Sequence, residues 1–71
     1  MKIIVKQTVS YYIKDYRMRT GISQSALARL LDTSRQLVDI WERGVSNPTG
    51  KLLQRFCALM EIGIDEIDFG D

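Results

Sequence analysis

Arg35 and Gln36 are adjacent, and Asp39 and Ile40 follow them one helical turn later. On a helix, positions three and four apart lie above one another, so these side chains share an outward side. An arginine guanidinium matches the two acceptors on the edge of guanine, and a glutamine amide matches the donor and acceptor of adenine. A carboxylate can accept from the cytosine amino group, and an isoleucine can meet the thymine methyl. Ser34, just before them, supplies a hydroxyl and is also a residue type that caps a helix. The chemistry on offer is the reading of base edges in DNA, with Ser34, Arg35, Gln36, Asp39 and Ile40 as candidate readers and Leu37 at the margin. Asp39 has a second reading, because phosphates would repel it and Arg35 stands four residues earlier for it to restrain.

These side chains must be held by two short helices. Leu27 and Leu31 lie four apart with Ala28 between them, Asp32-Thr33-Ser34 breaks the run, and Val38 and Trp41 resume an apolar face. Two helices sharing one buried seam over so few residues must cross steeply, and Ala28 is small enough to let the backbones approach. This is the sequence shape of a helix-turn-helix, whose second helix enters the major groove. Around it, Thr8 or Ser10 caps a first helix that runs to about Thr20, with Val9, Tyr12, Ile13 and Tyr16 as its apolar face and Gly21 as its stop. Ser23 caps the second helix, about Gln24 to Leu31, and Asp32 takes a turn position where positive φ is often needed. Ser34 caps the third, which runs to about Arg43 and stops at Gly44. After a loop from Val45 to Thr49, a fourth helix fills Gly50 to Glu61 with Leu52, Leu53, Phe56, Leu59 and Met60 on its core face. Gly63 is expected to end it, with Ile64 to Ile67 as a last helical turn. Lys2 to Gln7 is β-prone and must pair, with the tail around Asp68–Phe69, with a second subunit or with another protein; a helix-extending or unstructured arm is the alternative.

Seventy-one residues make one small domain, expected as an arm (1–8), a helical core (9–67) and an acidic tail (68–71). The net charge of +1 conceals a division. Residues 1–60 hold all ten bases and four acids, about +6, whereas the last eleven hold five acids and no base, about −5. Such segregation suits a body that meets phosphates with its tail turned elsewhere, although an acidic tail also serves solubility. Arg43 and Lys51 flank the Gly44–Thr49 loop and can neutralise phosphates; Arg19 and Arg29 can equally well solvate their own helices. Gln24 opens the second helix, where free N–H groups and the helix dipole favour a phosphate.

Catalysis is disfavoured. There is no histidine, the lone Cys57 has no base near it in sequence, and the C-terminal carboxylates form neither a dyad nor a calcium loop. No metal, cofactor or small-molecule substrate is expected. Cys57 sits among apolar neighbours and reads as a buried reduced thiol. No stretch approaches the ~18 apolar residues of a membrane span, and Met1–Val5 lacks the form of a signal peptide. The expected setting is the cytoplasm.

Arg17, Gly21-Ile22-Ser23-Gln24, Leu27-Ala28, Ser34, Glu42, Gly44, Asn47-Pro48 and the run Met60 to Ile67 together resemble the Cro/C1-type helix-turn-helix domain of phage and bacterial repressors, over about residues 9 to 67. The resemblance implies an all-α, compact five-helix bundle, here with a short β-prone N-terminal arm, that binds palindromic operator DNA as a homodimer. It implies that the Gln24 amide grips the DNA backbone, and that Arg17 and Glu42 form a structural ion pair joining the first helix to the end of the third. Two departures stand out: Asp32 replaces the usual turn glycine, and Leu37 and Ile40 put apolar groups where the family is usually polar.

Three functions remain open on these residues. The first is a Cro-like transcriptional repressor. The second is a small phage modulator, or antirepressor, that binds a repressor protein through an apolar patch at Leu37 and Ile40. The third is the DNA-binding component of a toxin–antitoxin pair.

Overall fold

The fold is taken from a computed structural model that describes residues 3 and 5–70. Lys2 and Ile4 of the expected strand and Asp71 of the tail lie outside the described residues. In chain order the elements are β1 (Gln7–Thr8), α1 (Val9–Thr20), α2 (Gln24–Leu31), α3 (Arg35–Glu42), α4 (Gly50–Met60), a 3-10 turn (Ile64–Glu66) and β2 (Ile67–Asp68).

Local chemistry sets the helix ends. The hydroxyls of Thr8, Ser23 and Ser34 accept from the backbone N–H of Tyr11, Ala26 and Leu37, each satisfying a donor that the first helical turn leaves unpaired. Thr8, rather than Ser10, is the first cap, and Ser10 instead donates its hydroxyl proton to the carbonyl of Glu42. Gly21, at φ 73, closes α1 and donates its N–H to the Arg17 carbonyl. Asp32 closes α2 in the left-handed region, at φ 55.

Two expectations about the C-terminal half are corrected. Gly63 does not end α4: Glu61 does, at φ 58. The chain can stop there without glycine because the Glu61 N–H donates to the Ala58 carbonyl, and the next N–H, of Ile62, to Cys57. The fifth helix of the expected all-α bundle is a three-residue 3-10 turn, so the described residues form four α-helices and a two-stranded sheet. Only three residues separate Gly63 from β2, too few for an α-helix to close its hydrogen-bond ladder.

Val9, Ile13, Leu27, Ala28, Leu31, Val38, Trp41, Phe56 and Ile67 form the buried core, so every element from α1 to β2 except the 3-10 turn contributes to it. Phe56 is the only fully buried member of the α4 face; Leu52, Leu53, Leu59 and Met60 are half-buried against the core. β1 and β2 pair in parallel, Gln7 opposite Ile67 and Thr8 opposite Asp68. The tail is thus the strand's partner within the chain, one residue earlier than the Asp68–Phe69 expected. Tyr12 reinforces this closure by donating its hydroxyl proton to the Glu66 carbonyl at 2.7 Å. β1 and the 3-10 turn that leads into β2 are therefore fastened to α1, beside which α3 packs, while α2 packs on α3 and α4.

Candidate nucleic-acid interface

α3 is eight residues long and turns Val38 and Trp41 inward. That leaves Ser34, Arg35 and Gln36 exposed, with Asp39 and Ile40 half-exposed. Ser34 lends its oxygen to the helix cap. Gln36 makes no side-chain hydrogen bond among the described residues, and Arg35 makes one, from Nη1 to the side-chain Oε1 of Gln24 at 3.3 Å.

A group of polar side chains meets between α2 and α3. Gln24, at the first position of α2, donates from Nε2 to Glu42 Oε1 at 2.9 Å and to Asp39 Oδ1 at 3.2 Å. Glu42 is clasped by Arg17, whose Nη1 lies 2.7 and 2.9 Å from its two carboxylate oxygens. Arg17 also donates from Nε to the Ile22 carbonyl at 3.1 Å, which ties the pair to the chain entering α2. Arg17 and Glu42 are largely enclosed, with 29% and 13% of their side chains exposed, so each charge depends on the other for compensation. The ion pair therefore joins α1 to the last residue of α3 and fixes the angle at which α3 is presented.

The expected partner of Asp39 is corrected. Asp39 does not restrain Arg35; it accepts from Arg43 Nε at 3.0 Å and from Gln24. Both arginines lie four residues away, but an acid N-terminal to its base at this spacing has the better geometry. Arg35, N-terminal to the acid, reaches across to Gln24 instead. The Gln24 bond, above all, with Arg43 after it, holds the Asp39 carboxyl below the ordinary carboxylate range. The sequence placed Gln24 and Asp39 on their elements but not against each other, because their meeting depends on how two helices cross.

Arg43 follows α3 directly, and Lys51 is exposed at the second position of α4. They stand on the two sides of the loop at 44–49, as their positions required. Arg19 pairs with Asp15 at 2.8 Å and lies over the Tyr16 ring, so it is occupied on its own helix. Arg55 approaches the turn residue Asp32 at 3.9 Å.

Leu37 and Ile40, expected as an apolar patch, are partly covered. Both are half-buried and pack on the core. Leu37 precedes Trp41 by four residues and Ile40 follows Leu37 by three, which places both on the flank of the buried stripe. The large apolar side chains that are exposed among the described residues lie elsewhere: Ile3, Val5, Tyr11, Met18, Leu30, Val45, Ile64 and Phe69.

Two helices joined by a tight turn, with a polar face on the second braced from beneath, define a DNA-binding module of the helix-turn-helix class. A helix-turn-helix family profile matches residues 13–67, and the chain belongs to that family, of the Cro/C1 type. No curated protein and no solved structure shows significant similarity to it. The family is one of DNA-binding regulators rather than of enzymes. No described helix is long and apolar enough to cross a membrane.

Proposed function

We propose that this chain is a sequence-specific transcription regulator, a Cro-like phage or bacterial repressor that reads operator DNA in the major groove with α3. The observation that carries the reading is the presentation of Arg35 and Gln36: both are exposed at the start of a helix locked in place by the Arg17–Glu42 pair. Arg35 reads guanine and Gln36 adenine, and each good bidentate contact contributes ~1–3 kcal/mol of discrimination. Gln24, Arg43 and Lys51 meet phosphates on either side of the groove, and the two cationic contacts, of Arg43 and Lys51, each add about 0.9 to the salt slope of binding. Two copies bind the two halves of a palindromic site.

The test is binding of the purified protein to duplex fragments from its own gene neighbourhood across a salt series. Saturable, sequence-dependent binding with a steep salt slope supports the reading. Weak binding that is indifferent to sequence rejects it, and a neighbouring repressor protein then becomes the partner to test.

A further inference from the structure

α3 carries two acids, and they are treated differently. Glu42 is enclosed with Arg17, whereas 36% of the Asp39 side chain remains exposed in the middle of the outward face. Both Asp39 oxygens have partners: Oδ1 accepts from the Gln24 amide and Oδ2 from Arg43 Nε. Asp39 therefore engages two of the three groups assigned above to phosphates. Duplex DNA brings a dense row of negative charge to such a face, and a carboxylate among those phosphates is repelled unless a base edge donates to it. In the major groove only the cytosine and adenine amino groups can do so, while guanine O6 and thymine O4 present further acceptors.

We propose that Asp39 is a specificity-determining residue that works by exclusion, weakening binding to unmatched DNA by repelling phosphates and by withholding Arg43 and Gln24 from them, and releasing both to the phosphates only where a base edge donates to it instead. Binding costs least where an amino-bearing base edge lies opposite it. The inference rests on the DNA-binding reading and adds to it a residue that selects by repulsion rather than by attraction. It also gives the Gln24 bridge a role: Arg35 holds the side-chain Oε1 of Gln24 while Asp39 holds its amide, so the two competing side chains of the recognition face are coupled through one glutamine.

The experiment begins by selecting a preferred duplex from a random-sequence pool with the unaltered protein. That duplex and an unselected one are then titrated with the unaltered protein and with Asp39→Asn, over a range of salt. Asparagine keeps an acceptor for Gln24 but removes the charge. The expected result is that Asp39→Asn binds the unselected duplex about tenfold more tightly near 0.1 M salt, with a slope steeper by about 0.9 as Arg43 gains a phosphate. The selected duplex gains much less, so the selectivity ratio falls. Adding Arg43→Ala returns the slope to its original value, and Asp39→Ala relaxes selection in the same direction. Equal gains on both duplexes, no gain, or weaker binding throughout would overturn the proposal. A protein that selects no sequence at all would overturn the DNA-binding reading beneath it.

Discussion

At the scale of single residues, the charges of Arg17 and Glu42 are placed so that neither can be removed without leaving the other uncompensated. Glu42 holds Arg17 and Gln24 together, so Glu42→Ala leaves a largely enclosed guanidinium uncompensated. We expect a loss of about 2 kcal/mol, read as a fall in Tm of roughly 10 °C, and the Arg17→Ala, Glu42→Ala double variant should lose less than the sum of the singles. An additive double variant would mean that the pair is not energetically coupled. Arg35→Ala tests the site instead of the fold. It should leave the melting curve unchanged and lower specific DNA affinity by ~1–3 kcal/mol, and unchanged operator affinity would remove Arg35 from the interface. The Asp39 carboxyl adds a pH dependence whose sign follows from its lowered pKa. Its stabilising bonds are complete above the ordinary carboxylate range and are lost as pH falls through the lowered value. Asp39→Asn should therefore flatten the acid limb of a plot of Tm against pH.

Cys57 is a contrasting residue. Burial first, and Glu66 second, push its thiol above the ordinary value. Since the thiolate is the reactive form, alkylation near pH 8 should be slower for the folded protein than for the chain in denaturant. Equal rates would show the thiol to be open to solvent.

At the scale of elements, the turn between α2 and α3 is built on a residue poorly suited to it. Asp32 is held at φ 55, where a side chain costs about 1 kcal/mol or more relative to glycine. Asp32→Gly relieves that strain but adds unfolded-state freedom, so we expect a net gain of about 0.5 kcal/mol, or a few degrees in Tm. Arg55 reaches the Asp32 carboxylate only at 3.9 Å, and that side chain is 88% exposed, so removing the ion pair offsets little of the gain. A fall in Tm would show that Asp32 does more in the turn than tolerate it.

At the scale of the whole molecule, the parallel pair of β1 and β2 fastens residues 7–8 to residues 67–68. Ile67 sits in that closure at 2% exposure, so truncating it both opens a cavity and loosens the strand. Ile67→Ala should cost about 2–4 kcal/mol, a large fraction of the stability of a domain this small, read as a fall in Tm. Light scattering at high concentration tests the proposed dimer: a lone monomer would remove the palindromic arrangement while leaving α3 in place.

Much of this fold was legible because it is encoded locally. The bounds of α2, the caps at Ser23 and Ser34, the left-handed Asp32, the apolar stripe of Leu27, Ala28 and Leu31 on α2 and that of Val38 and Trp41 on α3 each depend on residues within one or two turns of each other. So did the outward position of Arg35 and Gln36, which follows from helical period alone. What tertiary structure decided is every relation between elements. It left Leu37 and Ile40 half-buried against the core, replaced the fifth helix by a 3-10 turn leading into β2, and chose the tail of the same chain as the partner of β1. It also set Gln24 of α2 between Asp39 and Glu42 of α3, turning residues readable separately as DNA contacts into one hydrogen-bonded group. The physical reason is range: caps, turns and periodic faces are settled by backbone geometry over a few residues, whereas side-chain partners fifteen or more positions apart exist only once packing has fixed how the helices cross.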